Sequence, residues 1–126
     1  MKSDSISPFK GKSGVRRLIN AFGYSLAGYA AAFRHEAAFR QLFLLALVLV
    51  PAAFVFDVSR AERALMVASV LLTLVIELFN SAIEAAVDHT SLERHPLAGR
   101  AKDMGSAAQL TGLVIVAAVW GLILLG

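Results

Sequence analysis

"TLVIELFNSAIEAAVDHT", residues 73–90, is apolar enough for the middle of a membrane-spanning helix, yet it carries Glu77, Asn80, Glu84 and Asp88. On a helix these four side chains fall within a sector of roughly 80°, so they form one polar stripe. With about 1.5 Å of rise per residue, Glu77 lies roughly 20 Å from the outer end of the span, within the inner leaflet. Asp88 follows about 16 Å further along, near or beyond the headgroups. A carboxylate at bilayer depth is costly, so such a group usually faces protein or water and has a function. Asn80 alone suits a helix–helix hydrogen bond equally well. Glu77 and Glu84 together repel each other unless a cation or a proton intervenes, which favours chemistry.

The surrounding composition agrees with a membrane setting. Of 126 residues, 58% are hydrophobic and 17% charged, and the mean hydropathy is +0.70; a soluble domain of this length has a larger polar share. Three stretches are long enough to cross a hydrocarbon core, which takes about 20 apolar residues. They are "AAFRQLFLLALVLVPAAFVF" (37–56), the run from Ala64 through the stripe, and "GSAAQLTGLVIVAAVWGLILLG" (105–126). The polar, basic N-terminus does not read as a cleavable signal. The absence of cysteine excludes disulfides and thiolate metal sites. Three spans enclose little volume, so a homo-oligomer is expected.

Upstream, "GVRRLINAFGYSLAGYAAAF" (14–33) places Val15, Leu18, Ile19, Phe22, Leu26, Tyr29 and Phe33 at three- and four-residue intervals. That pattern predicts an amphipathic helix lying in the membrane interface. Gly23 and Gly28 either serve packing or let a backbone or ligand approach closely. Residues 1–13 read as a flexible tail. The expected architecture is all-α: an interfacial helix over about 14–35 and transmembrane helices over about 37–56, 62–92 and 101–126, in one membrane-embedded domain. Pro51 is expected to kink the first span or loosen its last turns. Asp57 and Ser59 are candidate caps for the second, and Gly99 is read as a turn before the third. On the third, Gly105, Ala108, Gly112, Ala117 and Gly121 supply the small residues that close helix contacts require.

Seven of the twelve basic residues, Lys2, Lys10, Lys12, Arg16, Arg17, Arg34 and Arg40, lie before the unbroken apolar run that starts at Leu42. With Arg94, Arg100 and Lys102 in the later connection, they put the N-terminus and residues 88–103 on the cytoplasmic side. The same charges favour anionic headgroups or a polyphosphate; without a soluble basic domain, nucleic acid is not an expected partner. In "GRAKDMGSA" (99–107), Lys102 and Asp103 reach the depth of the lower stripe. An ammonium beside a carboxylate suits phosphate neutralisation with metal or hydrogen-bond support, and a snorkelling interface lysine is the plainer alternative. Glu36 sits where the interfacial helix meets the first span. "GKS" at 11–13 lacks the earlier glycine of a P-loop, since position 6 is Ile6.

"EAAFRQ" (36–41), "VIELFNSAIEAAVD" (75–88) and "GRAKDMGSAA" (99–108) resemble the prokaryotic diacylglycerol kinases, small membrane enzymes that include an undecaprenol kinase branch. The resemblance covers residues 14–126. It implies an MgATP-dependent lipid kinase of the bacterial inner membrane, a homotrimer with composite sites, giving phosphatidic acid from diacylglycerol. It implies Glu77 as general base, with Asn80 and Ser106 orienting the lipid end and Ser25 on the lipid as well. Glu36 and Glu84 would hold Mg²⁺. Arg17, Lys102 and Asp103 would contact ATP, with Tyr24 near the adenine and Glu93, Arg94 and His95 lining the nucleotide site. The chain departs from familiar members at Leu42, at Ala27 and in "RHPL". Phosphoryl transfer needs alignment and charge neutralisation more than covalent chemistry, which metal carboxylates and a lysine supply. The alternatives are undecaprenol as acceptor, a proton-coupled transporter built on an intramembrane Glu, and a non-catalytic scaffold. Acids clustered towards the cytoplasm argue against the transporter, because alternating access favours a midplane site.

Overall fold

The computed structural model describes residues 14–90 and 96–126. These form four helices: α1 (Gly14–His35), α2 (Ala37–Ala53), α3 (Arg60–Thr90) and α4 (Pro96–Leu125). No strand occurs among the described residues. The chain divides into two compact units at His35 and Glu36, so that α1 is one unit and α2 to α4 the other. Helices α3 and α4 are each long and apolar enough to cross a membrane. At 31 residues, α3 is about 46 Å long and exceeds a hydrocarbon core of roughly 30 Å.

On α1 the apolar residues Val15, Leu18, Ile19, Phe22, Leu26 and Tyr29 are all exposed. Arg34 and His35 occupy its last turn, where positive charge meets the negative end of the helix dipole favourably.

Within the second unit, α3 packs against both α2 and α4. The buried residues are Phe39, Ala46 and Ala53 of α2 and Met66, Ser69, Val70, Thr73 and Glu77 of α3, joined by Gly105 and Gly112 of α4. Ser69 Oγ donates to Met66 O (2.8 Å) and Thr73 Oγ1 to Val70 O (2.6 Å), so both buried hydroxyls are satisfied within their own helix.

The ends of α2 have identifiable causes. Pro51 lies inside α2 near its end; it has no N–H, and the helix closes soon afterwards. Phe54 N–H bonds Pro51 O and Val55 N–H bonds Ala52 O, each at 3.0 Å, which tightens the last turn. The helix thus stops at Ala53, short of the expected Phe56. Ser59 then caps α3 reciprocally: Glu62 N–H donates to Ser59 Oγ (3.1 Å) and Ser59 N–H to Glu62 Oε1 (2.9 Å). Of the two expected caps, Ser59 is the one that makes these bonds.

Arg63 fastens this turn. Its Nε donates to Ala53 O (2.9 Å), its Nη2 to Phe56 O (2.9 Å) and, at 3.4 Å, to Val58 O. The guanidinium also sits 5.7 Å from the Phe54 ring centroid. Carbonyls left over where α2 ends are thereby satisfied by a side chain from α3.

Helix α4 begins at Pro96, earlier than the start expected near Ala101, and Gly99 lies inside it. Proline suits the first helical position because its missing N–H would have no intrahelical partner there. Near the other end of α4, Trp120 Nε1 donates to Met66 O at 3.1 Å, and its ring meets Phe56 edge-on at 6.3 Å.

Candidate active site

Helices α3 and α4 run antiparallel, and one face of each forms a ladder of contacts. Down the ladder, Trp120 meets Met66, Gly112 meets Thr73 and Ile76, Gln109 meets Thr73 and Glu77, Gly105 meets Asn80, and Lys102 meets Asp88. On α4 the positions 102, 105, 109 and 112 repeat at three- and four-residue steps, which keeps them on one face. The polar stripe of α3 therefore meets protein along this length.

Among the described residues Glu77 is the most enclosed charged one, with 3% of its surface exposed. Gln109 Nε2 donates to Glu77 Oε1 at 3.0 Å, and Ser81 Oγ donates more weakly to Oε2 at 3.4 Å. Gln109 Nε2 also reaches Thr73 O at 3.0 Å. A buried carboxylate is tolerable where donors replace its water, and here they come from its own helix and from α4.

Two glycines let the helices approach. A Cβ at Gly105 would collide with Asn80 Oδ1, and one at Gly112 would come within 2.7 Å of Ile76 Cδ1. Asn80 Oδ1 and Gln109 Oε1 are both buried without a donor. A buried acceptor left open costs about 1–3 kcal/mol, so two of them beside a buried carboxylate need a reason.

Below Glu77 the stripe becomes more accessible. Glu84 is half-buried and within electrostatic reach of Glu36, Glu77, Asp88 and Lys102. Lys102 Nζ is 2.7 Å from Asp88 Oδ1, and both side chains are open to solvent. Among the described residues, no group of three or more His, Cys, Asp or Glu closes a metal cage. Mg²⁺ does not require one, because it binds through one or two carboxylates while phosphates and waters complete its shell. Glu36 and Glu84 are hard oxygen donors of that kind, set where anionic charge accumulates.

Similarity to known proteins follows the same residues. Residues 23–124 match the model of the prokaryotic diacylglycerol kinase family. The chain belongs to this family. It is 65% identical over 122 residues to a Pseudomonas aeruginosa protein named diacylglycerol kinase, covering 97% of this chain and 99% of that one. It is 48% identical to the Haemophilus influenzae diacylglycerol kinase over 112 residues, 89% of this chain and 95% of the relative. The Escherichia coli K12 diacylglycerol kinase is 46% identical over 112 residues, 89% of this chain and 92% of that protein.

The family motifs fall on the α3–α4 ladder and beside it. "NSAIEA" lies on α3 and "AKDMGSAA" on α4, where Asn80, Glu84, Lys102 and Gly105 share the facing surfaces. Asp103 and Ser106 of α4 are exposed. On α1, Arg17 and Tyr24 are exposed and two turns apart, on one face. Ser25 Oγ donates to Ala21 O at 3.0 Å. Glu93, Arg94 and His95 lie outside the described residues. Gln109 and the partner of Asp88 did not emerge from the sequence. Gln109 stands one residue beyond the "GRAKDMGSAA" motif in an apolar run, and a polar residue in such a run is the signal that marks it.

Proposed function

We propose that the protein transfers the γ-phosphoryl group of MgATP to the hydroxyl of diacylglycerol, giving phosphatidic acid and ADP. The observation that carries this reading is Glu77, a carboxylate buried within a membrane-spanning helix and held by Gln109 and Ser81. Such a group is placed for an acceptor that lives in the bilayer. As the lipid oxygen bonds to the γ-phosphorus, its proton passes to Glu77. The bond from that phosphorus to the bridging oxygen breaks, and its electron pair leaves on ADP.

Asn80, one turn further along α3, orients the lipid end together with Ser25 and Ser106, and its open Oδ1 is an acceptor without a protein donor. Glu36 and Glu84 would hold Mg²⁺, and the chemistry it would supply there is neutralisation of phosphate charge. Lys102 binds the phosphates as a point charge. The family resemblance supplies Arg17, Tyr24, Asp103, Glu93, Arg94 and His95 as further candidates for nucleotide contact.

The working unit in this reading is a homotrimer in the bacterial inner membrane, with the N-terminus cytoplasmic and α1 in the interface. The buried residues of α4 within one chain are Gly105 and Gly112, which leaves its apolar surface to other copies or to lipid. Leu110, Val114 and Leu122 are exposed there, and other copies or lipid tails would cover them.

The test is transfer of radiolabelled γ-phosphate in mixed micelles, with diacylglycerol and undecaprenol compared as acceptors. Diacylglycerol is expected to be phosphorylated, with near-complete loss in Glu77→Gln while the helices persist. Labelling of the polyprenol alone would overturn the choice of acceptor, and equal turnover in Glu77→Gln would remove Glu77 as base.

A further inference from the structure

Gln109 has an arrangement that helix–helix adhesion alone does not explain. Its Nε2 donates to both Glu77 Oε1 and Thr73 O, each at 3.0 Å, while its own Oε1 is buried with no donor. Turning the amide over would direct its carbonyl oxygen at a carboxylate and a backbone carbonyl, two acceptors. The orientation is therefore set by those two groups, and it is kept although one amide oxygen stays unmatched. The neighbourhood is shaped to allow this. Gly112 leaves the space in which a Cβ would stand 3.1 Å from Gln109 Oε1.

The two carboxylate oxygens of Glu77 are not equivalent as a result. Oε1 takes the shorter bond, from a different helix, whereas Oε2 has only the 3.4 Å contact from Ser81 on its own helix. A proton acceptor needs a free lone pair and a fixed direction. Anchoring one oxygen supplies the direction and leaves the other oxygen for the proton.

We propose that Gln109 is the positioning residue of the phosphoryl transfer: it holds Glu77 by Oε1, so that Oε2 takes the acceptor proton. This rests on the reading of Glu77 as the base. Gln109 itself touches neither substrate, and its effect passes through Glu77.

The experiment compares the parent, Gln109→Met and Glu77→Gln in lipid micelles. Methionine is unbranched and of similar length but cannot donate. Gln109→Met is expected to lower kcat about tenfold, less than the roughly hundredfold that a full 1 Å misplacement costs, while KM for MgATP stays put. A difference infrared spectrum of parent minus Glu77→Gln isolates the Glu77 carboxylate stretch. The same subtraction in a Gln109→Met background should show that stretch displaced, which a change in packing alone would not produce. An unchanged kcat and an unmoved band in folded Gln109→Met, with Glu77→Gln inactive, overturns the positioning role alone. Full activity in Glu77→Gln overturns both this role and the base assignment. Should Gln109→Met fail to fold, Gln109→Asn takes its place, since the shorter amide draws its donor away from Oε1: a displaced band with lowered kcat upholds the proposal, and an unmoved band with unchanged kcat overturns it.

Discussion

Lys102 Nζ and Asp88 Oδ1 stand 2.7 Å apart across the α3–α4 interface, which gives the last acid of the stripe a partner. Both side chains are largely solvent-accessible, so the pair holds little stability. Its consequence follows from the proposed role of Lys102: if that ammonium binds the ATP phosphates, Asp88 competes with them for it. Asp88→Asn is expected to lower KM for MgATP about two- to three-fold, as removal of one exposed competing charge allows. Lys102→Met is expected to raise it. Initial-rate titrations with ATP at two ionic strengths check this, and an Asp88→Asn KM at or above that of the parent would refute the competition.

Glu36 and Glu84 are placed on different helices yet lie within electrostatic reach of each other. Two carboxylates are the kind of ligand set that a cation arriving with its phosphates uses, which is the role proposed for them. Glu84→Gln and Glu36→Gln should each shift the magnesium titration of activity to higher concentration by about tenfold or more, as loss of a carboxylate ligand from an oxygen-donor site does. Titration curves that superimpose on the parent would take both residues out of that role.

Arg63 ties Ala53 O, Phe56 O and Val58 O of the α2–α3 turn at the end of the bundle away from Lys102. Lysine in its place keeps the charge but lacks the planar fork that reaches several carbonyls. Arg63→Lys is expected to lose about 1 kcal/mol of stability, chiefly through the part-buried Ala53 O, with kcat of the folded enzyme unchanged. Thermal unfolding in micelles and the residual specific activity measure the two effects separately; a large fall in kcat without a stability change would contradict this division.

The stripe itself was legible because helical spacing alone puts Glu77, Asn80, Glu84 and Asp88 on one face. Its partners were not, because which α4 residue meets which stripe residue depends on the register between helices. Local pattern does not contain that register, so Gln109 passed as part of an apolar run and Asp88 had no assigned contact. Helix ends were read correctly in kind at Ser59, where the cap is a local motif. They are misplaced at the start of α4, expected near Ala101, because proline at the first helical position begins the helix at Pro96. The small residues of α4 show the same limit. Gly105, Gly112 and Gly121 look alike in spacing, yet only the first two touch α3, and a Cβ at Gly121 would meet nothing within 4 Å in this chain.

That difference separates the glycines experimentally. At Gly105 an added methyl collides with Asn80 Oδ1, on an amide whose carbonyl is already buried. Overfilling a packed contact costs about 1–3 kcal/mol, and here it also pushes Asn80 out of line with Glu77. Gly105→Ala should therefore lose both stability and kcat. At Gly112 the nearest atom is the end of a flexible isoleucine side chain, 2.7 Å away, which can swing aside, so Gly112→Ala should be the milder change. Gly121→Ala should leave the chain's own packing as it is and gain slightly from helix propensity. Unfolding midpoints and kcat for the three variants give the order Gly105→Ala, Gly112→Ala, Gly121→Ala from most to least damaging. If Gly121→Ala were the most damaging, that face would be held by another copy of the chain, and the predicted order would fail.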